Sequence, residues 1–416
     1  MTLSLIHDMI FSKRKASFPF IFSFFSDFIF YYSFYVTFFT SNNITGGNLA
    51  TLLVIMNASK MLADIPAGIL SDVFSRRNLL ILGLLFRSIF CVLCTFGTSF
   101  STFIIATVMV GIGNSCLWLH TWNYFYDYLK DKNQETKFSR FMGKYYAVSN
   151  IAIACAGFTG SYIYSKIGFV GVFLCSILSM LCATLIMLQM PNYRPKTTIR
   201  TAKNIRVASP LNFFALLRAL LKKPRIMRML ILTILMDSMF IVFLDMNTAT
   251  MNYAKTTAEN VSKIVGIVAF VRIFSNYFSG YTEKFMSFKR IHSWLLLIMV
   301  FSCIASCYNS SWMICVISAY LCIYPFFDTS IKTKIEHRID SNTRATIMSL
   351  AGLFVSILTI FFNIIIGVVS EESGYFSAPV CIFIIVIIIL FFVRNITECY
   401  RLDINLRKLL SRLATK

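Results

Sequence analysis

Twelve stretches of this chain are long and apolar enough to cross a bilayer, which takes about 20 largely apolar residues. They fall at roughly 17–40, 47–70, 78–97, 101–125, 142–164 and 168–190, then at 227–249, 260–281, 291–308, 311–330, 345–369 and 376–394. Polar residues collect between these runs, in short connections. The one long connection, 191–225, cuts the series into six and six. The pattern predicts an all-α membrane protein of two six-helix bundles: residues 1–190, a basic linker 191–225, and 226–416 with a short tail. Lys13-Arg14-Lys15 precedes a first run longer than the apolar core of a cleavable signal, so that run is expected to remain as an anchor.

Basic residues alternate with the runs. Connections after even-numbered runs carry Arg76 and Arg77; Lys130, Lys132, Lys137 and Arg140; Lys284, Lys289 and Arg290; and Lys332, Lys334 and Arg338. Those after odd-numbered runs are nearly bare, with Lys166 and Lys255 the main exceptions. The positive-inside bias then puts both termini in the cytoplasm of a multi-pass plasma-membrane protein, the inner membrane if the cell is bacterial. The linker holds Arg194, Lys196, Arg200, Lys203, Arg206, Arg218, Lys222, Lys223 and Arg225, with no acid. Either it lies on anionic headgroups around 211–221 or it is a solvated connection whose charge sets orientation.

Composition agrees with this reading. Hydrophobic residues make up 57% of the 416, and charged residues 14%, against roughly a quarter in soluble domains. The net charge of +21 would suggest nucleic acid in a soluble protein. Here it sits in the loops, so the partners expected are the lipid bilayer and a small-molecule substrate, with no nucleic acid and a monomeric chain. Cys91-x-x-Cys94 lies inside an apolar run, where cysteines at this spacing are packing residues rather than metal ligands. Four dispersed histidines and the absence of His-x-x-x-His or Gly-x-Ser-x-Gly argue against an enzyme.

Function is carried by charge inside the runs. Asp27 falls near the middle of the first and Asp237 near the middle of the seventh, where a carboxylate costs a few kcal/mol unless it faces the bundle interior or water. Each is a candidate for proton coupling, or else half of a permanent ion pair, with Arg272 the partner proposed for Asp237. Asp64 is a third candidate; Lys60 lies one turn before it, and Arg87 could pair with Asp64 or Asp27 but reads as structural. Asp245, near the outer end, is expected to meet water. Trp118, His120 and Trp122 on the fourth run, with Tyr31, Tyr32 and Tyr35 near Asp27, are either a cavity wall or an interfacial aromatic belt. As a wall they suit an amphipathic or cationic organic solute.

The stretch Gly68-Ile-Leu-Ser-Asp72-Val-Phe-Ser-Arg76-Arg77 resembles the loop signature of the major facilitator superfamily: a glycine, an acid four residues on, and a basic pair beyond. Asp64-Ile-Pro66-Ala-Gly68 resembles the Glu-Ile-Pro-Thr-Gly run of one bacterial branch, as do Tyr126-Asp127-Tyr-Leu and Arg344-Ala-Thr-Ile-Met-Ser-Leu. The resemblance implies twelve helices in two pseudo-symmetric bundles around a path lined by the first, fourth, seventh and tenth. It also implies a cytoplasmic gate in which Gly68 allows close packing, Asp72 caps the eleventh helix, and Arg76 or Arg77 pairs with Asp127. Secondary transport by alternating access follows, driven by the proton gradient without a cofactor. Proton-coupled efflux of a small organic molecule is the first expectation. Import by proton symport is the alternative, and a polytopic receptor or enzyme a reading of another class. Two marks of drug/proton antiporters are missing: Thr107 stands where an arginine is expected, and Gly157-Phe-Thr-Gly160 lacks a Gly-Pro pair.

Overall fold

The computed structural model describes residues 17–44, 46–134, 137–193, 224–285, 314–325 and 341–372. Ten helices lie in these segments: α1 (17–27), α2 (Tyr31–Ser41), α3 (Gly46–Val73), α4 (Arg76–Phe96), α5 (Phe100–Asp131), α6 (Phe138–Gln189), α7 (Pro224–Tyr253), α8 (Ala258–Phe285), α9 (Ile314–Pro325) and α10 (Ser341–Glu372). Among the described residues there is no strand, and seven helices are long and apolar enough to cross a membrane. The ninth and twelfth predicted runs and the basic linker from 194 to 223 lie outside the described residues.

Local chemistry sets several helix ends. The Ser75 hydroxyl accepts from the Asn78 amide and the Ser99 hydroxyl from the Thr102 amide, so serines cap α4 and α5 where the apolar runs begin. Arg77 donates to the Leu188 and Met190 carbonyls at 3.3 and 3.1 Å, holding the last turn of α6 at the end that carries the basic loops.

One expectation needs correction. The first run is not one helix: it breaks at residues 28–30, directly after Asp27. Non-helical backbone at membrane depth survives only where protein satisfies the freed amides. The Ser176 hydroxyl of α6 does so here, accepting from Phe30 and Tyr31 at 3.0 and 3.1 Å. The fifth and sixth runs are the two limbs of α6, as expected, and the chain turns between them at Gly168, whose φ of 72° and ψ of −158° suit only glycine. Both limbs return to α1: Ser23 donates to the Tyr145 carbonyl, and Ser179 to that of Phe25, each at 2.8 Å.

Phenylalanine fills the first bundle. Phe38 meets Phe103, Phe169 and Phe173 edge-on with ring centroids 5.0–5.5 Å apart, and Phe34 stacks on Tyr164 at 5.2 Å. Such geometries add about 0.5–1.5 kcal/mol per pair beyond area burial. Small residues instead mark the seams between the bundles, as close backbone approach in a membrane requires. α6 meets α8 at Gly157 and Gly266, where a β-carbon added to Gly157 would stand 2.6 Å from the Gly266 Cα. α3 meets α10 where a β-carbon on Gly367 would stand 2.8 Å from that of Ala50.

Candidate functional site

A small cavity lies on the seam between the bundles. Tyr32 and Tyr35 of α2 and Ile153 of α6 line it from one side; Asn247 and Thr248 of α7, Arg272 of α8 and Leu321 of α9 line it from the other. About 20 Å³ of it is open to the centre of a water-sized sphere, room for about one water. Toward the end opposite the basic loops, the seam is closed by polar contacts across it. The Tyr35 hydroxyl donates to Asp245, Asn252 donates to the Thr37 hydroxyl at 3.0 Å, and Ser262 donates to the Gly157 carbonyl at 2.7 Å.

Asp245 corrects an expectation. It is 6% exposed rather than open to water, with one carboxylate oxygen held by Tyr35 and the other buried without a partner. It sits two turns beyond Asp237 on α7. Repetition of acid at that spacing was the available sign, overlooked because the residue lies near a helix end.

Asp27 lies at the α1 break. The charges that reach it are the guanidiniums of Arg87, from its own bundle, and Arg272, from the other, and Ser149 offers it a hydroxyl. Arg87 is tied down within its bundle, donating from Nε to Asn114 at 2.9 Å and to the Ser26 carbonyl at 3.5 Å. Arg272 was expected to pair with Asp237. Asp237 instead accepts from the Tyr324 hydroxyl, and Arg272 lies over the Phe240 ring, its guanidinium carbon 5.0 Å from the centroid. Phe240 itself stacks on Tyr324 at 4.2 Å. Among the described residues the ion pairs are Lys60–Asp64 and Arg76–Asp127.

The aromatic candidates divide. Tyr35 is in the cavity wall, whereas Tyr31 is buried in the first bundle, its ring 5.0 Å from that of Phe90. Both lie on α2, and the cavity takes Tyr32 of its first turn rather than Tyr31. His120 is fully buried near Ala67 and Arg76, its ring nitrogens without a partner of good geometry, and it is absent from the cavity. The Trp122 indole donates to the Tyr146 hydroxyl at 2.5 Å. Tyr146 shares the α6 face of Ile153 two turns nearer the basic end, so Trp122 lies below the cavity rather than in it. Trp118 is 66% exposed one turn away.

Asp64 accepts from Ser115 at 2.6 Å and faces Lys60 at 3.9 Å, on the α3–α5 contact within one bundle. Arg76 pairs with Asp127 and donates to the Asn123 carbonyl at 2.8 Å. The backbone of Gly68 and Asp72 belongs to α3, but their surroundings, with the proposed cap at Arg344–Thr346, lie outside the described residues.

Two helical bundles meeting on a buried cavity are the architecture of a secondary transporter. The sequence profile of the Major Facilitator Superfamily matches residues 17–282, more than half of the chain, and the chain belongs to that family. Comparison with curated proteins returns no match. Solved structures share the fold at low identity. A D-xylose–proton symporter is 13% identical, with 92% of this chain and 97% of that one covered and a TM-score of 0.69. A POT family transporter in complex with 5-aminolevulinic acid is 12% identical, with 92% and 96% covered and a TM-score of 0.68. The nucleoside transporter NupG is 12% identical, with 91% and 98% covered and a TM-score of 0.64.

Proposed function

We propose that this transporter is proton-coupled and moves a small amphipathic organic molecule outward by alternating access. The carrying observation is the division of charge across the seam. Asp27 belongs to one bundle, at the α1–α2 break, and Arg272 lines the cavity from the other. Protonating Asp27 removes the attraction between them, and a two-state assembly responds to such a change by shifting population. The far-end contacts of Tyr35 and Asn252 break as the bundles part.

The distribution of Lys and Arg supports a cytoplasmic basic end, both termini inside, in a plasma membrane (the inner membrane of a bacterium). Asp72 acts there with Arg76 as the latch. The energy source is the proton gradient, and the working unit is the monomer.

Purified protein in liposomes, loaded with a pH-sensitive dye and challenged with compound pools, tests the reading. An exporter moves protons opposite to substrate, and a symporter moves them with it, so the sign of the dye response separates the two. Asp27→Asn should abolish gradient-driven movement and leave substrate counterflow largely intact. Gradient-driven movement by the Asp27→Asn protein would refute coupling through this residue.

A further inference from the structure

We infer that the molecule bound in the seam cavity carries a carboxylate, and that Arg272 is the residue that binds it. This rests on the transporter reading and assigns the class of its substrate. A guanidinium inside a membrane protein is costly and is ordinarily spent on an acid, a phosphate or a set of carbonyls. Arg272 is spent on none of these in full. Its Nε is buried without an acceptor, and no described carboxylate comes within 4.0 Å of it. One side of its plane is occupied by Phe240, which Tyr324 backs in turn, so the guanidinium is oriented by stacking rather than by an ion pair. The cavity is therefore provided with a pre-positioned cation whose fork of donors matches a carboxylate.

The other walls define the rest of the molecule. Ile153, Val265, Val268 and Leu321 supply an apolar lining, Tyr32 a ring face, and Thr248 a hydroxyl. The Tyr35 hydroxyl is committed to Asp245. An aryl or alkyl body fits between those apolar walls with its carboxylate on Arg272. A phosphate would call for a cluster of cations, and among the described lining residues Arg272 is the one cation. An organic cation, which the tyrosines and acids suggest from sequence, would face Arg272 across a cavity with no acid among its described wall residues. Room for about one water in this closed form means that the ligand enters only as the bundles separate.

The test uses the full-length protein in detergent, its thermal unfolding followed with phenylacetate, 3-phenylpropionate and octanoate, and with the amide and amine of each. The acids should raise the unfolding midpoint and bind roughly 10- to 100-fold tighter than their amides, the range for a hydrogen bond to a charged group. Arg272→Met should erase this preference, and Arg272→Lys should keep it in weakened form. The acid-over-amide ratio in the unmodified protein needs no variant, so poor folding of Arg272→Met leaves the test intact. Amides or amines that bind as well as the acids overturn the inference, as does a panel in which no acid binds. Amines that bind and drive proton flux would overturn it alone and leave the transporter reading standing. Ligands that bind yet are never moved in liposomes would count against that reading instead.

Discussion

Replacing Gly157 by alanine tests the seam most directly. The added β-carbon would stand 2.6 Å from the Gly266 Cα and 2.8 Å from both the Gly266 nitrogen and the Ser262 carbonyl oxygen. All three are backbone atoms and cannot swing aside. Ordinary carbon contacts lie near 3.5–4.0 Å, so α6 and α8 must separate by about 1 Å. Overpacking of this kind costs about 1–3 kcal/mol. The Ser262–Gly157 hydrogen bond, 2.7 Å long, is strained or lost as well, at about 1 kcal/mol. Together, about 2–4 kcal/mol shifts the balance toward the form open at the far end by roughly 30- to 700-fold. Gly266→Ala is the internal control. Its β-carbon would meet the Ala154 carbonyl at 3.2 Å and the Gly157 Cα at 3.4 Å, which a shift of a few tenths of an ångström relieves. The assay is labelling by a membrane-impermeant maleimide at Asn247→Cys, in the cavity wall, with the parent lacking that cysteine as background. Gly157→Ala should accelerate labelling from the far side and lower the unfolding temperature, with Gly266→Ala close to the parent. Equal labelling in all three proteins, or a Gly266→Ala effect as large as that of Gly157→Ala, would refute the close-packed seam.

Two further outcomes follow from the same geometry. Tyr35→Phe leaves both oxygens of the buried Asp245 without a partner, at about 1–3 kcal/mol; far-side labelling of Asn247→Cys should rise, and an unchanged rate would remove this contact from the closure. Ser176→Ala strips the acceptor from the Phe30 and Tyr31 amides at the α1–α2 break, so the unfolding temperature should fall, by the equivalent of about 2–4 kcal/mol for two orphaned amides. Should Ser176→Ala melt like the parent, the break beside Asp27 is held by something other than that hydroxyl.

What could be read in advance depended on how far apart the interacting groups lie in sequence. The Arg76–Asp127 pairing spans 51 residues and was legible only through the family resemblance, which implies it. Lys60–Asp64 was legible because helical periodicity alone places residues i and i+4 side by side. The cavity was legible only in part. Tyr32 and Tyr35 are in the wall as the sequence suggests, but Tyr31 and His120 are buried within the first bundle. Their types suit either place, and only the packing of α2 and α5 decides it. No proline or glycine marks the break after Asp27; its freed amides are satisfied by a serine 146 and 145 residues away. Arg272 was likewise assigned to the wrong partner, because pairing charges by depth in the membrane ignores which side of the helix each one faces.

Taken alone, the sequence determined that this chain lives in lipid as a set of helices, and which loops are basic. Those properties follow from residue counts and periodicity, which any one segment carries by itself. Tertiary structure decided which faces meet. It put Gly157 against Gly266, turned Tyr32 rather than Tyr31 toward the seam, buried Asp245 under Tyr35, and left Arg272 facing the cavity with no acid among the described residues within ion-pair distance. Each of these depends on two segments distant in sequence arriving at one place, and bilayer insertion, which sorts residues by depth, says nothing about rotation around the helix axis.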